Sequence, residues 1–497
     1  MKLEENYFNK ISDIFLTRRD DFGEIYAIGG YLRDHYLKKI NKDLDFVVKK
    51  NSIKAARGIA DFFGGDFFTL DEERETARAL ITLEDQQLIV DVAKINGENI
   101  FDDLKKRDFT INAMAVNLIE PVKIIDPLGG QKDLRIKKLT PCSDSSFNDD
   151  PVRTLRAVRF IQNLALDFDP SVKQAIISAS KNLSLVSAER RRDELCQILG
   201  LADLDQSYKL MADFEILVHV LPEIANIKEI APKFPHVHDA LTHSLRVAEL
   251  IRFFLDCIFN KVEKSENEFV CGVQSLIGKY RESLIEYSKI FKNLKFSIYP
   301  LMALAGLYHD CAKQYILPVE EEGKTIFPNH AKKSADIVCT RMRELAFSNE
   351  DINFVGTIIK HHMSAYLKSI GEDENPNRRI YRYFQEAKDL GVLIGFFHLA
   401  DIIATYEGTL TPLRWRSAIN SVGRILDGWF NHFEDVISPT RLLTGDELIE
   451  ELGMHPGRKI GLILEMVQEE QAAGILSEKK LALDYAKKMI DEMKKDD

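Results

Sequence analysis

Alternation of apolar and polar positions is concentrated in the first third of the chain. Residues 23–50 read as an apolar strand, a glycine turn, a short helix and a second strand, in which Leu44, Phe46 and Val48 alternate with Asp43, Asp45 and Val47. Leu88 to Ala93 repeats the period-two pattern. Between them, LDEERETARAL (70–80) follows Gly64-Gly65 and is dense in charge, which fits either an exposed helix held by ion pairs or a functional loop. From Asp150 onward strand signals fade and helical periodicity dominates. Within that helical part, 262–292 is charged and less regular, and Asn375–Arg379 is a polar, proline-containing break. The last stretch opens at Ser438-Pro439 and carries a turn-like HPGRK (455–459). The pattern predicts an α+β protein: a mixed head over 1–140 and a long all-helical remainder.

Composition changes this picture little. At 497 residues, several domains are expected. Apolar residues at 45% and charged residues at 29% exclude collagen-like, low-complexity and wholly disordered chains. No uninterrupted apolar run reaches the roughly 18 residues of a membrane span. The opening MKLEENYFNKISDIF lacks a cationic segment followed by an apolar one, so no secretory leader is expected. Six scattered cysteines with no Cys-x-x-Cys pair predict neither a disulfide framework nor a structural zinc site. The expected location is the reducing cytoplasm, with no membrane partner. The net charge of −11 argues globally against nucleic acid, but it leaves room for a local basic groove and for acidic metal sites.

The most informative stretch is GGYLRD (29–34) followed by DLD (43–45). Gly29 and Gly30 after an apolar strand let backbone approach a phosphate, because no Cβ intervenes. Arg33 adds a forked cation. Asp43 and Asp45 are two apart on a strand, so both point to one face. Paired carboxylates beside a phosphate-binding turn suit divalent cations that bridge nucleotide phosphates, and Mg²⁺ is the natural choice for oxygen ligands. A polar strand face after an ordinary turn would explain the same residues. It explains less well a second Arg-Asp element, Arg107-Asp108, followed by Asn112.

At this point the chain resembles the tRNA nucleotidyltransferases and bacterial poly(A) polymerases, with a polymerase-β-like head. The resemblance runs in order through GGYLRD, DLD, LDEER–TAR (70–78), RDFTINAMA (107–115), DPLGGQKDL (126–134), DDPVRTLRAVRF (149–160) and SAERRRDEL (187–195). In DDPVRTLRAVRF, Asp150-Pro151 fits an N-cap and first helical position. Arg153, Arg156 and Arg159 share one helix face opposite Leu155, Val158 and Ile161. The resemblance implies that Asp150 and Arg153 read the edge of the incoming CTP or ATP base, with Arg156 and Arg159 near the triphosphate. It also implies that Gly29, Gly30, Arg33, Arg107, Asp108 and Asn112 bind nucleotide. Asp149 stands where the family usually carries Glu.

A second constellation lies in the helical part: His243, His309-Asp310 in GLYHDCAK (306–313), and Asp401, with His330 and His361-His362 between them. The order resembles an HD phosphohydrolase domain, in which four such side chains hold a metal that generates hydroxide. Imidazole ligands favour Mn²⁺, Ni²⁺ or Co²⁺ over Mg²⁺. The tail LLTGDELIEELGMHPGRKIGLIL (442–464) resembles the family's C-terminal segment, which implies contact with tRNA. The resemblance thus implies a template-independent enzyme that adds CMP and AMP to tRNA 3′ ends, with an all-α neck over 141–205 carrying the nucleotide-reading helix, an HD-type helical domain over 206–430 and a helical tail over 431–497. An A-adding enzyme, a CC-adding enzyme and a poly(A) polymerase are the rivals within the class. The length of the 70–80 segment speaks against a CC-only enzyme. A phosphohydrolase whose head only binds RNA is the rival outside the class, and intact Asp43 and Asp45 speak against it.

Overall fold

The computed structural model describes residues 2–39, 41, 43–84, 86–120, 124–225, 227, 232, 235–260, 262–321, 324–365 and 375–496. The chain divides into two compact units: residues 1–194 with 209–220, and residues 195–208 with 221–497.

The first unit is built on a seven-stranded sheet: β1 Ile25–Ile28, β2 Asp43–Val48, β3 Asp66–Asp71, β4 Thr76–Leu83, β5 Gln86–Lys94, β6 Ala115–Asn117 and β7 Ile124–Ile125. The spatial order is β3-β4-β5-β2-β1-β6-β7. Among the described strands only β2 and β5 pair in parallel, with Asp45 beside Asp91; the other pairs are antiparallel. Alternation along the strands separates two faces. Leu44, Phe46, Ala77, Ala79, Ile81, Leu88, Val90 and Val92 are buried on one. There the helix Ser52–Phe63 packs on β4 and β5, and Phe8 and Phe15 of the helix Lys2–Thr17 meet Phe46. The opposite face carries Asp43, Asp45, Arg78 and Asp91. Toward β1 it is covered by an apolar cluster of Tyr26, Ile28, Val47, Ile100, Leu104 and Ala113.

The stretch 70–80 is neither a helix nor a loop. It is the end of β3, a turn and the start of β4, and the hairpin register pairs Phe68 with Arg78. Its charges suit a helix surface equally well, but the alternation of Thr76, Arg78 and Leu80 with buried Ala77 and Ala79 lets β4 close the sheet, and that burial decides. The helix carrying the arginines spans Arg153–Leu164, starting later than expected. Asp150 is extended and makes no side-chain cap, because its carboxylate is taken by Arg190. The opposite face is as expected, with Leu155, Val158 and Ile161 buried.

The second unit is mainly helical. Glu268–Ser288 is one continuous helix, where 262–292 reads as irregular, because Val270, Val273, Ile277, Tyr280 and Leu284 recur on a single buried face. Asn375 does not break a helix but starts one: its side chain accepts the N–H of Asn377 at the head of Pro376–Ala387. A short hairpin, Val319–Glu321 with Lys324–Ile326, interrupts the helices where no strand is predicted. The stretch Pro376–Thr409 is long and apolar enough to cross a membrane, but 78% of its most apolar window is buried among other helices. The tail helices Gly445–Leu452, Arg458–Ala472 and Lys479–Asp496 share an apolar cluster of their own around Leu448, Ile463, Val467 and Ala482. All six cysteines are free thiols.

Candidate active site and candidate metal centre

In the first unit, β1 runs directly into the helix Gly29–Tyr36. Gly29 sits at φ +67, and a Cβ there would lie 3.1 Å from Asp45 Oδ2 and 3.5 Å from Arg107 Nη1. The turn therefore needs glycine both for its backbone angle and for space. The Gly30 N–H donates to Asp45. Burial, then repulsion from Asp91, pushes the Asp45 carboxyl up to about 6, against the pull of Arg107. Asp43 is also raised, by burial and then by Asp91. Two carboxylates that are costly to ionise side by side, on an open sheet face, are the donor set a divalent cation relieves.

The expected nucleotide-binding cations are engaged with protein partners. Arg33 makes a two-pronged pair with Asp34 at 2.8 Å for both bonds, and it donates to Asn112 Oδ1 at 2.7 Å. Arg107 holds Asp103 through bonds of 3.0 and 2.9 Å. Asp108 is buried and receives Arg156 Nε at 2.8 Å and Asn112 Nδ2 at 3.1 Å. Burial alone would raise its carboxyl, but Arg156, Asn112 and the Phe109 N–H hold it at about 2. Arg156 and Arg159 converge on Glu194 at 2.9 and 2.8 Å. Arg153 donates to the carbonyls of Lys106, Arg107 and Ser146 and to Ser146 Oγ, at 2.8–3.2 Å. In this arrangement Arg153 ties its helix to the Arg107–Asp108 segment and points at backbone. Asp150 pairs with Arg190 at 2.6 Å.

In the second unit, the helices Ala240–Phe259 and Ile298–Tyr308 pack so closely that a Cβ on Gly306 would lie 2.7 Å from that of Ala248. This approach brings His309 Nε2 to 3.2 Å from His243 Nε2. Asp401 Oδ1 is 3.1 Å from His243 and 3.7 Å from His309. Asp310 directs Oδ2 toward these histidines, at 3.6 and 3.4 Å, and Oδ1 toward His330 at 3.4 Å. His243, His309 and Asp310 form one group of convergent metal-ligand atoms; Asp310, His330 and His362 form another. His309, His330 and His362 each place Nδ1 2.7–2.8 Å from a carbonyl three residues back. A donating Nδ1–H there leaves the Nε2 lone pair for a cation. Burial, then neighbouring charge, lowers His362 to about 3. Asp310 and Asp401 hold a proton on His309 up to about 10 despite its burial, in the place a metal ion would take. Of the pair 361–362, His362 joins the cluster, whereas His361 faces Glu386. The cluster borders a cavity of about 370 Å³, lined also by His236, Lys313 and Arg414.

Residues 25–140 match the Poly A polymerase head domain, and 165–228 match the probable RNA and SrmB-binding site of polymerase A. The chain is 25% identical to the A-adding tRNA nucleotidyltransferase of Deinococcus radiodurans over 453 residues, covering 90% of this chain and 91% of that protein. It is 38% identical to the CC-adding tRNA nucleotidyltransferase of Geobacter sulfurreducens over 186 residues, 37% of this chain and 42% of that protein. Its head thus matches the Poly A polymerase head domain, and over nine tenths of its length the chain is similar to a tRNA nucleotidyltransferase. The fold of a CCA-adding enzyme solved with ATP covers 97% of this chain and 95% of its own, with a TM-score of 0.57 and 20% identity.

Sequence reading left out several residues that the fold brings to the two clusters. Asp91 is the third carboxylate on the open face, and Arg78 grips it through bonds of 2.7 and 2.8 Å. The alternation of Leu88 to Ala93 was the available signal, since it places Asp91 opposite the apolar positions. Glu194, which collects two arginines, and Lys313, 2.5 Å from Asp310, carried none beyond their place in longer motifs.

Proposed function

We propose that this protein extends the 3′ ends of tRNA without a template, adding CMP and AMP from CTP and ATP in the cytoplasm. The observation that carries the reading is the pair Asp43 and Asp45 on the open sheet face, beside a glycine turn with no room for a side chain. Asp43 and Asp45 would hold Mg²⁺, which when bound lowers the pKa of the primer 3′-hydroxyl and neutralises the departing pyrophosphate. The Gly30 N–H and Arg107 orient Asp45. Arg33 and Asn112 stand as the cationic and amide wall toward the triphosphate, and Asp150 with Arg153 is the set for base selection. Their present partners, Arg190 and backbone carbonyls, must then give way to the base. Relatives include A-adding, CC-adding and CCA-adding enzymes, so the deciding assay offers tRNA ending at the discriminator base, at -C, or at -C-C, with each NTP alone and with CTP plus ATP. Stepwise CMP, CMP and AMP supports the reading; AMP only on -C-C, or arrest after two CMP, assigns a partial enzyme, and long A tracts assign a poly(A) polymerase.

A second activity is supported by the His243, His309, Asp310 and Asp401 cluster. Its imidazole and carboxylate donors fit Ni²⁺, Mn²⁺ or Co²⁺ and a metal-dependent phosphohydrolase. Hydrolysis of a 2′,3′-cyclic phosphate with each metal, with bound metal counted by elemental analysis, tests it. No hydrolysis and no bound metal would leave the cluster structural.

A further inference from the structure

The open face of the sheet does not end at the carboxylates. Strand register places Asp91 beside Asp45, Arg78 opposite Asp91, and Phe68 opposite Arg78. Residues paired across strands project to the same side, so these four form one row across β2, β5, β4 and the edge strand β3. At strand spacings near 4.8 Å, Phe68 stands about 14 Å from Asp45 along this row. Its neighbour Phe67 faces the other side, under Arg57 of the helix Ser52–Phe63. Phe68 and Leu70 are 48% and 50% exposed, next to a guanidinium that is itself partly open. An apolar aromatic left uncovered on an edge strand is costly unless something covers it in use.

We infer that Phe68 is a stacking platform for the unpaired 3′-terminal bases of the RNA primer, with Arg78 beside it meeting the RNA backbone. This rests on the reading of the head as an RNA-extending site. The surface is continuous with the carboxylates at which that primer's 3′-hydroxyl must sit. Aromatic faces accept any base, and an adjacent arginine supplies the charge a phosphodiester backbone needs. A second copy of the chain fits less well, because centred antiparallel pairing of 66–71 with itself would set Asp66 against Asp71.

The test measures binding of a tRNA acceptor-stem hairpin with an unpaired 3′ end, by fluorescence anisotropy, to wild type and to the F68A, F68L and F68W variants of the full chain. Loss of one base stack weakens binding roughly 5- to 150-fold. The inference expects that loss in F68A and F68L, near-wild-type binding in F68W, and KM values for CTP and ATP that do not move. A blunt duplex should bind all four proteins alike. Unchanged affinity of folded F68A, full rescue by leucine, or equal loss on blunt duplex overturns it. Wild type that neither binds nor extends RNA overturns the functional reading, and this inference with it. Wild type that extends RNA while F68A behaves identically overturns the platform alone.

Discussion

Replacing Asp45 with Asn should make the metal-free protein more stable while removing its activity. Asn keeps the size of the side chain but cannot ionise. In the folded protein the Asp45 carboxyl is raised from 3.8 to about 6, by burial first and by Asp91 second. A raised carboxyl stabilises the fold fully only below pH 3.8, and that contribution is lost as pH rises through about 6. At pH 7.5 the wild type therefore carries the whole cost of an ionised Asp45. The difference of roughly two pH units, at 1.36 kcal/mol each, sets an upper limit of about 3 kcal/mol. The carboxylate is partly open to water, so about 1–3 kcal/mol is the working range. At roughly 2–4 °C per kcal/mol for a unit of this size, the first unfolding transition should move up by about 2–12 °C. Calorimetry with chelator present at pH 7.5 and at pH 4 checks this, since the gain should fade at the lower pH. Added Mg²⁺ should raise the transition of the wild type and leave that of the variant, closing the gap. A folded D45N protein with an unchanged or lower transition at pH 7.5, or a gain equally large at pH 4, refutes the argument that repulsion around Asp45 is what a cation relieves.

Asp43→Ala or Asp45→Ala should reduce nucleotide addition by orders of magnitude with the fold intact, measured as single-turnover CMP incorporation; near-normal rates in a folded protein would sink the assignment. Asp108, held at about 2 by Arg156 and Asn112, contributes stability present above pH 3.8 and lost as pH falls toward 2, and Asp108→Asn should flatten that acid limb in a pH series of denaturant midpoints. Arg153→Lys keeps the charge but cannot reproduce the bonds to Lys106, Arg107 and Ser146, so it should cost about 1–3 kcal/mol in urea unfolding; an unchanged midpoint would mean the clamp is incidental. His309→Ala should abolish metal-dependent phosphate hydrolysis and its bound transition metal yet leave CMP and AMP addition with Mg²⁺ largely intact, because the two ligand sets lie in different units; loss of both in a folded protein would show that the units are coupled.

Local sequence settled what depends on local geometry. Period-two spacing put Asp43 and Asp45 on one face, Gly29-Gly30 marked a turn where backbone comes close to other groups, and helical spacing buried Leu155, Val158 and Ile161 behind the arginines. Adjacent His309-Asp310 was legible for the same reason, as were the runs that carried the family resemblance. What needed the tertiary structure was every relation between segments. Alternation says which way Asp91 points but not that β5 lies beside β2; the order β3-β4-β5-β2-β1-β6-β7 is not the order of the chain, and only that order sets Arg78 and Asp91 in a row with Asp45. The charged 70–80 segment reads as helix or loop until β4 has a neighbour to pair with. Likewise Arg153 on a helix face is a cation awaiting a partner, and only the folded chain sets it against the carbonyls of Lys106, Arg107 and Ser146. His362 enters its cluster while His361 turns away, since side-chain direction on a helix has meaning only once the neighbouring helix is in place. Propensity and periodicity act over a few residues, whereas desolvation and ion pairing depend on which distant segment closes over a group. The fold alone therefore decided which charges are buried and what each one holds.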